Sequence, residues 1–355
     1  MAALLEARQV SKVFGGGLFD KRVTIALDHF SFAVEGSPPQ VTAIVGESGS
    51  GKTTLARLLL GLISPSSGEV LYQGTDIRKL EPEGRGSFLR DVQMIFQDPY
   101  EVYNPFYRVE HVLEAPIAHF KLATSASARR ALIENSLRAV GLRPEETLGR
   151  YPHQLSGGQR QRIMVARAVL IRPRLIIADE PVSMVDASLR ATILDSLSEL
   201  NREFGMSILY ITHDLTTAYQ ISDNIIVLYR GAVAEAGGVD LVVGEPRHPY
   251  TQLLINSVPS PNPDHHWGAY DARGADVDAR NGSQVTVPHR SGAQRLLSTC
   301  PFADRCPSVM TICHEHVPPL YRLEQSRAAA CFLYSNTASA LAADQLNEVI
   351  STANV

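Results

Sequence analysis

Residues Val41–Leu55 read VTAIVGESGSGKTTL, and this stretch decides the fold class. Its apolar run predicts a buried strand, the glycines predict a tight loop, and the segment after Lys52 predicts a helix. From Gly46 to Thr53 the pattern is G-x-x-x-x-G-K-T. Glycines let backbone N–H groups converge on an anion at the positive end of the following helix. The stretch therefore predicts a phosphate-binding loop between a strand and a helix.

Two side chains of this loop add specific chemistry. Lys52 can reach the β- and γ-phosphates of a nucleotide, and the Thr53 hydroxyl can ligate Mg²⁺. A glycine-rich turn that binds nothing is the alternative when the stretch is taken alone. The loop residues expected to contact the nucleotide are Gly46, Glu47, Ser48, Gly49, Ser50, Gly51, Lys52, Thr53 and Thr54.

Short apolar runs alternate with helical patterns along most of the chain. The segments LIIADE, MSILYITH and IIVLYRG are strand-like, and such alternation predicts a parallel sheet covered by helices on both faces. Between Val109 and Val140 the apolar residues recur at helical spacing, which predicts a helical insert of about forty residues. We therefore predict an α/β fold, a P-loop NTPase core with a helical subdomain.

A pair of carboxylates ends the strand-like segment RLIIADE. Asp179 is suited to contact Mg²⁺, directly or through its ligands, and Glu180 follows it at once. A carboxylate at a strand end beside a γ-phosphate can orient and deprotonate an attacking water. The alternative is an acidic pair on the surface without a function, but the presence of the phosphate-binding loop disfavours this interpretation.

The composition argues against several classes of protein. The chain has 355 residues, too many for one ordinary domain. It lacks the run of roughly 18 apolar residues that a membrane-spanning helix needs. MAALLEARQVSK has no basic region followed by an apolar core, so no secretory signal is expected. The net charge of −4 offers no electrostatic footprint for nucleic acid, and we expect residence in the cytosol.

The segment Leu155–Arg162, LSGGQRQR, makes the interpretation specific. Together with the phosphate loop it resembles the signature sequence of ABC-type ATPases. The resemblance implies that Phe14 stacks on adenine and that Gln97 contacts Mg²⁺ and the attacking water. It places Asp186 in the loop after the carboxylate pair and implies that His213 hydrogen-bonds the γ-phosphate.

The same resemblance assigns the catalytic roles. Glu180 would be the general base, Lys52 and His213 would stabilise the transferring charge, and all these positions are intact. The catalytic set implied is Glu180, His213, Lys52 and Gln97, and the Mg²⁺ set is Thr53, Gln97 and Asp179.

The signature also implies pairing between subunits. Ser156, Gly157 and Gly158 open a predicted helix, where a hydroxyl and free N–H groups can bind an anion. In the family this site, which includes Gln159, binds the γ-phosphate held by the other subunit. The resemblance therefore implies a dimer of ATPase domains, which we expect to be non-identical chains, docked on membrane permease subunits through the region 98–150.

Beyond the last predicted core strand, the chain resembles one branch of the family. GEPRHPYTQLLINSVP (Gly244–Pro259) and C-P-F-x-x-R-C-P from Cys300 resemble importers of the oligopeptide/dipeptide family. A composition rich in Pro, Gly, Asp, Asn and His predicts a linker between them. We predict an ATPase domain over residues 1–255 with a helical subdomain at about 98–165, a linker over 256–298 and a cysteine segment over 299–340.

All four cysteines lie near the C-terminus, at Cys300, Cys306, Cys313 and Cys331. Disulfides are disfavoured in a reducing cytosol, so a metal site is expected. Gaps of five, six and seventeen residues match neither the usual zinc hairpin nor ferredoxin spacings, and they leave the metal open. The family resemblance implies a [4Fe–4S] cluster, so the predicted fold class also includes a small C-terminal metal-binding tail domain with these four cysteines. Zinc, with His314 or His316 as further ligands, and simple buried thiols are the alternatives.

These features lead to one expected function with alternatives. The chain would bind and hydrolyse ATP with Mg²⁺ on the cytoplasmic face of the cell membrane, energising a peptide importer. Its expected partners are two permease subunits, a second ATPase subunit and, indirectly, an extracytoplasmic solute-binding protein, but no nucleic acid. Import of oligosaccharides or nickel is the nearest alternative. A soluble ABC ATPase acting on ribosomes or nucleic acid is the alternative from another class.

Overall fold

The structure is a computed structural model that describes residues 3–15, 23–98, 103–183, 185, 187–258, 297–342 and 345–351. Most of the predicted linker, residues 259–296, lies outside the described residues, and so does Asp186. The strands are β1 (Leu5–Gly15), β2 (Val23–Val34), β3 (Val41–Val45), β4 (Ser67–Tyr72), β5 (Thr75–Asp76), β6 (Val92–Ile95), β7 (Leu175–Asp179), β8 (Ser207–Thr212), β9 (Asn224–Tyr229), β10 (Ala232–Gly238), β11 (Tyr321–Glu324), β12 (Arg327–Ala329) and β13 (Ser339–Ala340).

Helices alternate with these strands, as the periodicity predicts. They are α1 (Lys52–Leu59), α2 (Pro82–Asp91), α3 (Glu110–His119), α4 (Ala126–Ala139), α5 (Pro144–Thr147), α6 (Gly157–Leu170), α7 (Ala187–Phe204), α8 (Leu215–Ile221), α9 (Val239–Gly244), α10 (Pro249–Asn256), α11 (Thr311–Glu315) and α12 (Leu346–Ser351).

The chain divides into two compact units, each built from separate stretches. The first unit contains Met1–Leu5, Val34–Ala43 and Tyr72–Asp223. The second contains Glu6–Ala33, Ile44–Leu71 and Asn224–Val355. The phosphate loop and the cysteine segment thus belong to the second unit, whereas the carboxylate pair belongs to the first.

The sheet of the first unit carries three neighbouring parallel strands in the order β8-β7-β6. All three are buried along their whole length, as expected for parallel strands covered on both faces. The register pairs Ile95 with Ala178 and Asp179 with Ile211, so the strands end at one edge. The residues that follow the three strands are therefore brought together at this edge.

The helices of the first unit confirm the predicted helical insert. Between β6 and β7 lie α3, α4, the short α5 and α6. Ser125 caps helix α4, because its hydroxyl accepts a hydrogen bond from the Ala128 N–H and satisfies one of the free donors of the first turn. Leu113, Leu137 and Ile163, one from each long helix, are buried in one apolar core. This core supports the signature segment, because α6 carries it at its start.

The second unit contains two sheets. One includes β2, β1 and β4 as neighbours. In the other, β9, β10, β12, β11 and β13 are neighbours in that order, and every pair is antiparallel. The pairing of β12 with β10 sets Ala329 opposite Glu235 and buries Arg327 and Ala328.

The cysteine segment therefore contributes strands to the same sheet as β9 and β10. A separate C-terminal metal-binding domain, part of the predicted fold class, is not supported, because the tail completes an existing sheet edge through β12. An unpaired edge strand exposes backbone donors and acceptors, and pairing satisfies them. Within the part of the chain that the structure describes, no helix is long and apolar enough to cross a membrane.

Candidate active site

The phosphate loop connects β3 to α1 and approaches other backbone closely. Gly51 precedes the helix with a φ of 106°, and a Cβ at this position would collide with the carbonyl oxygen of Ala26. Only glycine combines this conformation with this space. The loop is closed further by a hydrogen bond from the Ser50 N–H to the Glu47 carbonyl oxygen, at 3.1 Å. The predicted glycine-rich cradle is therefore present in the second unit.

Lys52 lies inside this loop. Its side chain is buried, and its Nζ donates to the carbonyl oxygens of Gly46 at 2.7 Å and Glu47 at 2.9 Å. These bonds hold the ammonium group against the concave face of the loop. Because the backbone fits an anion and the lysine adds positive charge, the loop suits the phosphates of a nucleotide.

The Glu180 carboxylate of the first unit is held by both of its oxygens. Gln97 Nε2 donates to Oε2 at 2.9 Å, and His213 Nδ1 lies 2.9 Å from Oε1. The side chain of Glu180 is largely buried, whereas that of His213 is 59% exposed, so the group opens to solvent on one side. The structure thus brings together three of the four predicted catalytic residues.

The strand topology explains this arrangement. Gln97 follows β6, Glu180 follows β7 and His213 follows β8, so each residue leaves the same edge of the parallel sheet. The Glu180 N–H donates to the carbonyl oxygen of Ile211 at 2.8 Å and adds one more bond between neighbouring strands. A carboxylate oriented by two polar side chains can accept a proton from a bound water.

Asp179 is buried at the end of β7, directly before Glu180. A buried carboxylate, the Thr53 hydroxyl and the Gln97 amide are oxygen donors, the ligand type that Mg²⁺ prefers. The donor chemistry of the three predicted Mg²⁺ residues therefore fits the ion.

The signature segment begins helix α6 with a capping box. The hydroxyl of Ser156 accepts from the Gln159 N–H at 3.2 Å, and the Gln159 side chain accepts from the Ser156 N–H at 3.0 Å. Ser156 is exposed at the helix start, with Gly157 and Gly158 following it. The hydroxyl and the first amides of this helix thus lie at the surface of the first unit, where an anion could reach them.

Sequence reasoning missed a residue that joins this helix to Gln97. Gln161, buried in α6, donates to the carbonyl oxygen of Phe96 at 3.3 Å, directly before Gln97. Tyr103, in the segment between β6 and α3, donates to the carbonyl oxygen of Arg160 at 2.7 Å and thereby attaches this segment to α6. The sequence signal that could have revealed Gln161 is a polar residue on the apolar face of a predicted helix.

Phe14 lies near the end of β1 and exposes 44% of its surface. Lys12 Nζ lies 5.0 Å from the centre of its ring. An exposed flat ring is suited to stacking on a base.

The four thiols lie in one region, but the structure does not show them arranged as a metal site. The Cys300 N–H donates to the Cys313 carbonyl oxygen at 2.9 Å, and both residues contact an apolar cluster with Phe332. Burial, and to a smaller extent the three other thiols, raise the pKa of Cys331 to about 11. Yet among the described residues no group of three or more His, Cys, Asp or Glu side chains could hold a metal ion. The predicted [4Fe–4S] cluster, and zinc with His314 or His316, are not supported by this arrangement.

Comparisons with known proteins identify the family and the fold of the chain. The family described as "ABC transporter" matches residues 27–183, and "Oligopeptide/dipeptide transporter, C-terminal region" matches residues 234–313. A solved dimeric structure of the ATP-binding cassette MJ0796, in a post-hydrolysis state with ADP and Pi, is similar at a TM-score of 0.59 and 28% identity. That match covers 66% of this chain and 98% of the cassette, and it confirms the predicted α/β ABC ATPase fold.

Two curated relatives extend the similarity along the chain. The putative oligopeptide transport ATP-binding protein YkfD of Bacillus subtilis is 39% identical over 94% of this chain and 96% of its own length. The dipeptide transport ATP-binding protein DppF of Escherichia coli is 41% identical over 74% of this chain and 78% of its own. The chain therefore belongs to the ABC transporter family of ATP-binding proteins, in the branch that carries the oligopeptide/dipeptide transporter C-terminal region.

Proposed function

We propose that this chain is the ATP-binding and ATP-hydrolysing subunit that energises an importer of oligopeptides or dipeptides. The observation that carries the ATPase activity is the Glu180 carboxylate, bound through both oxygens to Gln97 and His213. The peptide cargo rests on the match of the C-terminal region and on relatives named for oligopeptide and dipeptide transport.

In the proposed mechanism, Glu180 accepts the proton of the water that attacks the γ-phosphate. The two hydrogen bonds fix its carboxylate, so little reorganisation is needed when the proton moves. His213, exposed beside it, stabilises charge on the transferring phosphoryl group, and Gln97 orients the water.

The phosphate loop supplies binding in this mechanism. Backbone N–H groups of the loop and Lys52 Nζ neutralise the β- and γ-phosphates. We assign Thr53, Gln97 and Asp179 as the residues that would hold Mg²⁺, which would supply positive charge to the bound nucleotide. Phe14 is assigned to the adenine ring and Asp186 to the loop after Glu180.

We further propose that two such ATPase subunits pair and dock on two membrane permease subunits. The exposed start of α6 at Ser156 supports pairing, because it offers an anion site to the nucleotide of a second subunit. The second subunit would be a non-identical paralogue, and the region 98–150 would contact the permease at the cytoplasmic face of the inner membrane. A solute-binding protein outside the membrane would deliver the peptide. The domain boundaries 1–255, 256–298 and 299–340 belong to the same proposal.

The substitution Glu180→Gln tests the ATPase assignment. It removes the proton acceptor but keeps the side-chain shape, so ATP binding should persist and a nucleotide-bound dimer should accumulate while hydrolysis falls about 10²–10⁴-fold. Size-exclusion chromatography with ATP and a phosphate-release assay report the two outcomes. Glu199→Gln, an exposed acid on α7, is the matched control and should keep wild-type turnover. Wild-type turnover in Glu180→Gln would remove Glu180 from the mechanism.

The cargo is tested in the assembled transporter. The permease subunits are identified by co-purification in detergent and reconstituted with this chain and the solute-binding protein in liposomes. Peptides should stimulate ATP hydrolysis and accumulate inside, whereas oligosaccharides and Ni²⁺ should do neither. Stimulation by a sugar or by nickel alone would reassign the cargo, and co-purification with ribosomes in place of a permease would reassign the class.

We also propose that Cys300, Cys306, Cys313 and Cys331 bind a [4Fe–4S] cluster, with zinc as the alternative metal. Their grouping in one short segment and their mutual influence on thiol pKa support this proposal. Because the described arrangement holds no three of them as a ligand set, the site would have to form together with the metal. Anaerobic purification followed by iron, sulfide and zinc analysis tests it, and a colourless protein without any of the three contradicts it.

A further inference from the structure

Two side chains from the C-terminal part of the second unit reach Glu47, the second residue of the phosphate loop. The Glu47 N–H donates to the Tyr250 hydroxyl at 2.9 Å. The Glu47 carboxylate accepts two bonds from Arg305, Nη1 to Oε2 at 2.9 Å and Nη2 to Oε1 at 3.1 Å. The Glu47 carbonyl oxygen already accepts from Lys52. Together with the Ser50 N–H bond to the same carbonyl oxygen, every polar group of Glu47 is thus bound, and two of its four partners, Tyr250 and Arg305, lie far along the chain.

Contacts other than Glu47 also hold the Arg305 side chain in place. It ends the short turn Ala303–Arg305. Its guanidinium lies 5.8 Å from the ring centres of Tyr229 and Phe302, and Nη1 also donates to the Tyr229 hydroxyl at 3.3 Å. Tyr229 and Phe302 meet edge to face at 5.2 Å. Because the guanidinium is supported by rings and by a hydroxyl, the two-point bond to Glu47 is pre-organised.

The charge of Glu47 gives this contact its consequence. A carboxylate within a loop that binds a polyphosphate repels its ligand unless a cation compensates it. Arg305 supplies that cation. Its two parallel hydrogen bonds also fix the orientation of the Glu47 carboxylate. Both side chains remain partly exposed, at 39% and 38%, and exposed ion pairs contribute little to folding stability. The effect of the pair is therefore expected on ligand binding.

We propose that Arg305 is a positioning residue of the ATP site, which neutralises and orients Glu47 and thereby sets the affinity of the phosphate loop for ATP. The segment between Cys300 and Cys306 would then act on nucleotide binding, although none of its residues belongs to the loop. This inference rests on the proposed function, namely that the loop binds ATP.

The test compares the KM for ATP and the kcat of four full-length proteins. In Arg305→Gln the Glu47 charge is uncompensated, so KM should rise about threefold to tenfold while kcat is kept. In Glu47→Gln the Arg305 charge remains, so KM should fall below the wild-type value. In the double variant neither charge remains, so KM should return to within about twofold of the wild type. KM should thus follow the net charge at this pair.

A structural role predicts another pattern, in which both single variants and the double variant all raise KM. That pattern, or an unchanged KM in Arg305→Gln, overturns the inference. Arg247→Gln is the matched control, because Arg247 is similarly exposed and pairs at 3.0 Å with Glu245 outside the loop. Its KM should equal that of the wild type. If the wild type and this control hydrolyse no ATP, the proposed function itself fails. If they do hydrolyse ATP, the inference is decided by whether KM is lowest in Glu47→Gln, intermediate in the wild type and the double variant, and highest in Arg305→Gln.

Discussion

In the first unit, Glu180 lies between two polar side chains that open to solvent, whereas in the second unit the phosphate loop is enclosed by backbone and buried side chains. Gln97 and His213 hold Glu180 through side-chain bonds alone. The loop instead depends on a glycine conformation, a buried lysine and the C-terminal residues Tyr250 and Arg305. The difference indicates that substitutions at Glu180 should change chemistry without changing the fold, while substitutions around the loop should change stability or affinity.

The largest effect is expected on the exposed side of this comparison. His213→Ala removes a partner of Glu180 and a charge-stabilising group, so kcat should fall about 10²–10³-fold. Because His213 is 59% exposed, the melting temperature should hardly change. Steady-state ATP hydrolysis and thermal unfolding measure the two quantities. His119→Ala, at an exposed histidine, is the control and should change neither quantity. A drop in the melting temperature of His213→Ala large enough to explain its lost activity would contradict a purely chemical role for His213.

The next effect is expected in the loop and concerns stability. Gly51→Ala places a Cβ against the carbonyl oxygen of Ala26 at a φ of 106°, so the free energy of unfolding should fall by about 3 kcal/mol. Gly49→Ala is the matched control, because Gly49 also has a positive φ, of 80°, but no atom lies within 4 Å of the added carbon. It should cost only about 1 kcal/mol. Urea unfolding without nucleotide compares them, and equal losses would show that the loop is not closely enclosed.

A smaller effect concerns pH. His248 lies at the start of α10, where its Nδ1 accepts from the Tyr250 N–H at 3.0 Å. Burial lowers the pKa of His248 from 6.5 to about 4. The unfolded chain therefore binds a proton more readily between these values, and stability present above pH 6.5 is lost as the pH falls. At pH 5 the loss should reach about 2 kcal/mol relative to pH 7.5.

His248→Asn isolates this contribution, since the Asn side chain can also accept from the Tyr250 N–H. Urea unfolding between pH 7.5 and 5 should show a steeper loss of stability in the wild type than in the variant. Glu235 acts in the opposite sense, because burial raises its pKa, but it is present in both proteins and cancels in the comparison. Parallel pH profiles would contradict the assignment of a neutral, buried His248.

Much of both regions follows from local sequence patterns. The glycines between β3 and α1 predict the loop because its backbone conformation is a local property, and the apolar run before Asp179 predicts a strand that ends at the carboxylates. The meeting of Gln97, Glu180 and His213 follows once three parallel strands end at one edge. The structure shows each of these features.

The contacts of Glu47 could not be predicted in the same way. Arg305 lies 258 residues from its partner, and neither residue stands in a periodic pattern that would reveal the pair. The pairing of β12 with β10, which sets Ala329 opposite Glu235, is also long-range, and it is equally hidden because a three-residue strand carries almost no pattern of its own. The cysteine spacing, likewise, could not specify how the thiols are arranged. Long-range packing decides these features, and local propensity does not report it.

One experiment tests the separation of chemistry from phosphate binding most directly: KM and kcat for ATP measured side by side for the wild type, Glu180→Gln and Arg305→Gln. We expect Glu180→Gln to lose kcat and Arg305→Gln to raise KM with kcat unchanged. A loss of kcat without a change of KM in Arg305→Gln, or wild-type kcat in Glu180→Gln, would contradict the account.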